Sequence, residues 1–536
     1  MSRLHSADNE RTAAPQALSG RHLLRSTSVV SVMTLLSRVL GLVRDVVFAR
    51  FFGATIVMDA FIVANRIPNM LRRFFAEGAF SQGFVPVMAR YREQHDHADA
   101  RELVDAVAGT LGLVLFVVTA IGVIAAPLLV AVVAPGFLDD DGRFDLSAAM
   151  LRFTFPYLLF VSLSAFAGGI LNTYGRFGAP AFTPVLLNVV LIACTLWLAP
   201  QLEEPGMALA YGVFIAGIVQ LLFLLPFLKK IDAVPRPTWR PKHRGVRRIG
   251  RLMLPAIFGS SVAQVNVLVG GVIASMLGVG KISLLYYSDR LMEFPLGLFG
   301  IALATVTLPY LSRQHASRST AEFSQTVDWS MKLVCLIAVP AAVGLIVLAE
   351  PLVATIFYGG VFDAEDVHLT ALSLQAFSVG LVGFSLVKIL APAYFAREDT
   401  RSPVRVGLIA LLVNFVLSVI LAWWLTAIDY EAPHAGLALA TSAAALVNAW
   451  LLYRGLRHAG VIVHRPGWLA LSLRLLLANA AMTLALLAVL RPIAWWLDAG
   501  LLLRAGWLSL TVVVAAAVYL GGLWLAGTRL SQLRLH

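Results

Sequence analysis

The sequence predicts an all-α polytopic membrane protein with fourteen transmembrane helices: two parallel-repeat six-helix bundles around a central cavity, plus two extra C-terminal helices. Three observations predict it. Of the 536 residues 59% are hydrophobic and only 13% charged, with a mean hydropathy of +0.81, whereas a soluble domain carries about 25% charged residues. Apolar stretches near the roughly 20 residues that a helix needs to cross a bilayer recur at 28-52, 57-89, 106-134, 147-173, 180-200, 206-228, 249-277, 283-311, 328-349, 369-395, 404-426, 435-453, 470-490 and 505-526. Finally, motifs of the first half return in the second at one fixed offset.

Residues 1-27 are polar and lack the apolar core of a removable signal peptide, so they read as a cytoplasmic N-terminal tail and 28-52 as the insertion signal. The first two helices hold Arg38, Arg44, Arg50, Arg66, Arg72 and Arg73. An arginine at the centre of a spanning helix costs about 2.5 to 3.5 kcal/mol on insertion scales. The cluster must therefore face protein, water or a ligand, and it points to an anionic substrate met within the bilayer. On helix one, Arg38 and Asp45 lie on nearly one face, with Arg44 about a third of a turn away unless Gly41 bends the helix. On helix two, Arg66, Arg73 and Glu77 share a face beside Arg72, and Pro68 predicts a kink.

A repeat organises most of the chain. Asn65-Arg66 through Pro86 is answered by Asp289-Arg290 through Pro309, and Arg176 through Pro180 by Asp399 through Pro403; both proline pairs are 223 positions apart. An offset spanning six helices keeps both halves in one membrane orientation, so the repeat is of the parallel kind. It divides the chain into an N-terminal bundle (28-228), a basic cytoplasmic linker (229-248) and a C-terminal bundle (249-453). Helices thirteen and fourteen (470-526) and a cytoplasmic tail (527-536) fall outside the repeat.

Lys and Arg crowd the loops on one side, while the other side holds only Arg143, Lys281, Arg491 and Arg504 together with the acidic clusters Asp139-Asp140-Asp141, Glu203-Glu204 and Asp363/Glu365/Asp366. By the positive-inside rule both termini are cytoplasmic. The net charge of +12 then reflects topology rather than nucleic-acid binding, and the basic linker suits anionic lipid headgroups. Cys194 and Cys335 sit in separate apolar helices, which argues against a disulfide framework. The histidines form no metal-ligand pair on one helix face. Gly278 through Ser283 approximates a phosphate loop but has Ile282 where Ser or Thr should follow the lysine, and reads as a turn.

Helices one, two, seven and eight carry Arg38, Arg44, Arg50, Arg66, Arg72, Arg73 and Arg290 against Asp45, Asp59, Glu77, Asp289 and Glu293. Mutual neutralisation that locks helices together stays open for Arg66, Arg73, Glu77 and Asp289, but the set as a whole has a positive surplus. Guanidinium forks grip phosphate oxygens in pairs, so an arginine-lined wall between the bundles suits a diphosphate. Lys332, Lys388 and Arg474 can instead snorkel or satisfy carbonyls. Asn188, Gln264, Asn266 and Asn414 either bridge helices or line the cavity.

Ser37 through Asp45, Asp59-Ala60-Phe61, Pro68 through Gln82 and Tyr287 through Pro295 resemble the lipid II flippase family, MurJ, within the multidrug/oligosaccharidyl-lipid/polysaccharide exporter superfamily. The resemblance runs from about residue 24 to the C-terminus. It implies a V-shaped central cavity, a bacterial inner-membrane location, and translocation of undecaprenyl-diphosphate-linked peptidoglycan precursor from the inner to the outer leaflet. By motif, Arg38, Arg44, Arg72 and Arg290 are implied to bind the diphosphate, with Glu293 in support. Asp59 is expected to pair with the outer end of helix one, at Arg50, as a gate, and Arg474 to mark a groove for the polyprenyl tail at helices thirteen and fourteen. The remaining charges, Asp45, Arg66, Arg73, Glu77 and Asp289, fall to a gating or structural network. No catalytic residue, cofactor or metal is implied. Helices seven and eleven contain no acidic residue, so the sodium site of some family members is not expected, and coupling to the membrane potential or an ion is left open. Partners implied are lipid II, membrane lipids and the cell-wall synthesis machinery. The alternatives are an exporter of another polyprenyl-linked oligosaccharide, or of drugs, within the same superfamily. Drug exporters rely on acidic cavities, which the arginine surplus disfavours. A membrane glycosyltransferase would need an outer acid/base constellation that the short outer loops do not supply.

Overall fold

The computed structural model describes residues 20-94, 97-138, 142-297, 320-462 and 467-527, apart from some side chains at 20-27, 76-82, 97, 256-263 and 320. The acidic run Asp139-Asp140-Asp141, the Thr307-Pro309 end of the second repeat, Gly300 and the side chain of Glu77 lie outside the described residues.

Among the described residues the regular structure is helical. In order these are α1 (Gly20–Phe52), α2 (Ile56–Arg72), α3 (Gly78–Gln94), α4 (His97–Ile124), α5 (Ala126–Val133), α6 (Arg143–Thr154), α7 (Tyr157–Thr173), α8 (Gly178–Ala193), α9 (Met207–Lys229) and α10 (Arg244–Ser275). They continue with α11 (281-297), α12 (Thr320–Val347), α13 (Ala349–Ile356), α14 (Ala364–Val379), α15 (Leu381–Phe395), α16 (Arg401–Ala427), α17 (Ala435–His458), α18 (Trp468–Val489), α19 (Ile493–Asp498) and α20 (Leu501–Leu525). Ten described helices are long and apolar enough to cross a membrane. The four predicted stretches outside that set, 28-52, 57-89, 249-277 and 283-311, carry the intramembrane charge or run into undescribed residues, so the count of fourteen rests on the sequence alone.

The irregularity in helix two falls later than Pro68. Pro68 sits inside α2, and the break comes at Arg73–Glu77, a π-helical turn leading into α3. Such turns carry one extra residue and recur at functional sites.

Packing differs between the two ends of the molecule. Where α1 runs into α2, one apolar core crosses both halves, joining Phe48, Met58, Phe61 and Phe137 to Tyr287, Phe357, Phe362 and Trp496. Tyr287 lies 5.0 Å from Phe357 and 5.4 Å from Phe362, ring to ring. Toward the end where α1 begins, one core joins Phe80, Phe84, Phe166 and Leu224 of the first half to Ile249 of α10, and another holds Phe323, Met331, Leu390 and Leu452 within the second half. A fourth core ties α18 and α20 to α12, with the Tyr519 hydroxyl donating to the Leu336 carbonyl at 2.6 Å. Burial of apolar surface holds the halves together broadly at one end and only through α10 at the other, where the second half also keeps a core of its own.

Candidate functional site: an arginine-lined cavity between the halves

A cavity of about 510 Å³ opens between α1, α2, α10 and α11 and is lined by Arg44, Arg66, Arg72, Arg73, Asp289 and Arg290. Its most densely bonded part centres on Asp45, which is 2% exposed. The Arg44 guanidinium donates to Asp45 Oδ1 at 2.7 and 3.0 Å, to Asn188 Oδ1 at 3.1 Å and to the Tyr286 hydroxyl at 3.1 Å. Tyr286 in turn donates to Asp45 Oδ1 at 2.8 Å. Arg290 brings its Nε to 3.6 Å from Asp45 Oδ2, lies over the Tyr286 ring and donates to Glu293 at 3.1 Å. One buried carboxylate thus holds two guanidiniums from different halves beside each other. Both guanidiniums line the cavity, Arg44 with each of its three nitrogens already bonded and Arg290 bonded to Glu293 through Nη1.

Face geometry places Asp45 with Arg38, but the structure pairs it with Arg44 instead. The long Arg44 side chain folds back on its neighbour. Arg38 reaches toward the start of α1, where its guanidinium occupies the space that a Cβ on Gly297 would fill, within 2.2 Å. Lys388, donating to the Leu296 carbonyl at 3.4 Å, approaches the same turn of α11. Arg38 and Glu293 therefore lie beside the cavity, not in its lining. Arg66 lies against Gly271 of α10, within 1.4 Å of where a Cβ there would sit; its buried Nη1 has no hydrogen-bond partner among the described residues. Arg73 donates to Gln264 Oε1 at 3.4 Å. Asp289 stands on the same wall without a close ion pair among the described residues. Arg66 and Asp289 stand close enough on that wall for their charges to act on each other, without a direct ion pair among the described residues, and the Glu77 side chain lies outside them.

The Asp59–Arg50 gate pair is not made in this conformation. Asp59 is fully buried and accepts three hydrogen bonds at the start of α11: from Gly280 N–H at 2.6 Å, Ser283 N–H at 2.9 Å and the Ser283 hydroxyl at 2.6 Å. A carboxylate at a helix N-terminus satisfies orphan donors and complements the helix dipole, and a distant arginine offers neither. Arg50 uses its backbone carbonyl instead, accepting from Val361 N–H at 2.9 Å.

Around Asp59 the halves meet backbone to backbone. A Cβ on Gly136 would come within 2.3 Å of the Ser275 carbonyl oxygen, on Gly280 within 2.4 Å of that of Ala54, and on Gly360 within 2.1 Å of that of Arg50. The expected turn at Gly278–Gly280 is present, with φ of +100° and +78°. Its role as the capped end of α11 is readable only in its glycines and Ser283. Tyr286 also escapes sequence reasoning, since an aromatic pair before Asp289 looks like packing. At the end where α1 begins, α3 meets α10 at Gly83, where a Cβ would sit 2.9 Å from Met253. On that flank the implied V is narrowed.

Arg474 lies near the end of α20, its Nη2 3.8 Å from a Cβ on Gly527, on the α18–α20 pair. Cys194 and Cys335 are both free. No group of three or more metal-binding side chains converges among the described residues.

The family model for lipid II flippase MurJ matches residues 48–504. The chain is 47% identical over 523 residues to a probable lipid II flippase MurJ of Vibrio cholerae, covering 96% of this chain and 98% of the relative. It is 42% identical over 524 residues to the lipid II flippase MurJ of Burkholderia cenocepacia, covering 96% and 99%. Its fold is similar to a solved lipid II flippase MurJ in an inward closed conformation, with a TM-score of 0.75 at 24% identity over 92% of this chain and 97% of that one. It is also similar to an inward-facing multidrug transporter of the MATE family in the MOP superfamily, with a TM-score of 0.64 at 15% identity over 79% and 95%. By the extent of the family match and the identity to its members, the chain belongs to the lipid II flippase MurJ family.

Proposed function

We propose that this protein moves lipid II, an undecaprenyl-diphosphate-linked muropeptide, from the inner to the outer leaflet of the cytoplasmic membrane by alternating access. It is a transporter and not an enzyme. The observation that carries this reading is the cavity in which Arg44, Arg66, Arg72, Arg73 and Arg290 converge between the halves. Five guanidiniums facing one enclosed space match the two phosphates of the lipid better than any neutral or cationic cargo. This disfavours the drug-export alternative.

In this reading Arg44, Arg72 and Arg290 bind the diphosphate, whose oxygens take the place of Asn188, Tyr286 and Glu293 on the Arg44 and Arg290 N–H groups. Arg38 and Glu293 stand where the headgroup passes before it reaches them. The polyprenyl tail stays in lipid beside α18 and α20, whose outward side chains Leu473, Leu477, Leu484, Leu502, Val513 and Leu520 are exposed. Arg474 sits on that pair. The two six-helix bundles, 28-228 and 249-453, rock about the cavity, closing one end as the other opens. Both termini are cytoplasmic, as the basic loops support. The membrane potential favours outward movement of the anionic head by about 2.3 kcal/mol per charge per 100 mV. Delivery to the cell-wall synthesis machinery on the outer face follows from the product's chemistry.

The test is depletion in the native bacterium with complementation by wild type, Arg44→Ala or Arg290→Ala at matched expression, scoring survival and lipid II accessible at the outer leaflet. Wild type restores both and the variants restore neither. Normal export by the variants would make the arginines structural and sink the reading.

A further inference from the structure

A second chamber of about 490 Å³ lies wholly inside the second half. It runs along α16 from Asn414 to Pro403, a length of about 16 Å at the helical rise, between α15 and α17. Its lining is mostly small or apolar, with Val387, Ala410, Leu411 and Ala444 among it. Asn266, Asn414 and Thr441 line both this chamber and the arginine cavity, so the two spaces share one wall. That wall is a thin polar partition: Asn414 donates to Asn266 at 2.7 Å and Thr441 approaches Asn414 Oδ1 at 3.3 Å. One charged group lines the chamber, Lys388. Its ammonium donates to the Leu296 carbonyl and makes no ion pair among the described residues. Gly407 also lines it, and a Cβ there would meet nothing within 4 Å, so the position opens onto free space.

We infer that this chamber receives the peptide arm of the translocated headgroup, with Lys388 meeting a peptide carboxylate and the Asn266–Asn414–Thr441 partition parting to admit it. The inference rests on the lipid II reading. A muropeptide stem offers methyl groups, amides and carboxylates, and these match in turn the apolar lining, the asparagine and threonine side chains, and the single ammonium. The division of cations fits the same assignment. Planar guanidinium forks line the cavity suited to a diphosphate, whereas an ammonium is a point charge that meets a lone carboxylate from any direction. Contiguity with the arginine cavity favours an arm of the same substrate over a separate lipid occupant.

The experiment measures flipping in proteoliposomes of two substrates, lipid II and the same polyprenyl-diphosphate disaccharide without its peptide. Gly407→Leu fills the chamber, and replacing glycine in a helix interior favours the helix. Lys388→Gln removes the charge, and Lys388→Arg restores it. Wild type moves both substrates. Gly407→Leu and Lys388→Gln each lower the rate ratio of peptide-bearing to peptide-free substrate by about tenfold, the worth of one charge-assisted hydrogen bond, and Lys388→Arg recovers most of it. An unchanged ratio in both variants, with wild type active, overturns the chamber assignment and leaves the flippase reading standing. Wild type that moves neither substrate overturns both. Equal slowing of the two substrates by Gly407→Leu, without a ratio change in Lys388→Gln, also overturns it, since a structural defect does not tell the substrates apart.

Discussion

Two of the places where the halves meet are built in opposite ways. Around Asp59 they touch through backbone at Gly136, Gly280 and Gly360, and the buried carboxylate answers the donors at the start of α11. Around Asp45 they touch through long side chains, Arg44, Arg290 and Tyr286, which also line the cavity. The first has no slack, which suits a seal. The second has slack, which suits the proposed binding site. A transporter needs both, because a gate that closes by backbone fit excludes water, while a site made of flexible forks can follow its ligand through a change of shape.

The sharpest way to break this comparison is to give the seal a side chain. Gly136→Val and Gly360→Val each push a branched side chain against a carbonyl, which costs about 1 to 3 kcal/mol in the closed state and enough at the upper end to reverse a near-balanced equilibrium. Flipping should fall by more than tenfold, and a cysteine replacing Ser283 should become reactive to an impermeant maleimide from outside. Full activity with a protected cysteine would show that the seal is not glycine-dependent. Next in size is Asp59→Ala, which strands two N–H groups and one hydroxyl at about 1 to 3 kcal/mol for each left unsatisfied; melting in detergent should drop measurably, with Asp59→Asn losing less. Because Asp59 answers backbone donors, exchanging the charges of Arg50 and Asp59 should not restore function, and rescue by the exchange would refute the capping role.

On the cavity side, Arg44→Lys keeps the charge but loses the fork that spans Asp45, Asn188 and Tyr286. Flipping should drop by about tenfold, with Arg44→Ala worse, measured on the same vesicles. The smallest expected effect lies outside both regions. Asp399 accepts from Ser402 N–H at 3.0 Å and its hydroxyl at 2.6 Å at the start of α16, and these bonds hold its carboxyl below the usual carboxylate range. A depressed pKa means that the contribution is complete at neutral pH, where both states are ionised. It fades only as the pH falls below about 4, the unfolded-state value. Asp399→Ala should therefore cost about 1 kcal/mol at neutral pH and progressively less in acid. A cost undiminished at pH 2 would contradict the assignment.

Much of this is legible in the sequence because charge in an apolar chain stands out. Residue type and depth mark Arg38, Arg44, Arg50, Arg66, Arg72, Arg73 and Arg290 as a set, and five of the seven, all but Arg38 and Arg50, line the cavity. Partners are less legible. Helical spacing matches Asp45 to Arg38, yet a long, flexible guanidinium side chain is not confined to its own face, and Arg44 takes the place. Charge complementarity matches Asp59 to Arg50, whereas its actual partners are two backbone N–H groups and a serine, donors that a sequence displays nowhere. The side chamber along α16 is equally hidden, since a void is a property of several packed helices, and Gly407 alone reads only as a small residue.

The backbone seal has a consequence for ionic strength. Backbone dipoles and a fully buried carboxylate are scarcely screened by salt, whereas the part-exposed guanidinium of Arg290 lies within reach of a Debye length of about 8 Å under physiological conditions. Raising salt should weaken capture of the anionic head and leave closure at the Asp59 end untouched, so a salt titration separates the two steps without altering a single residue.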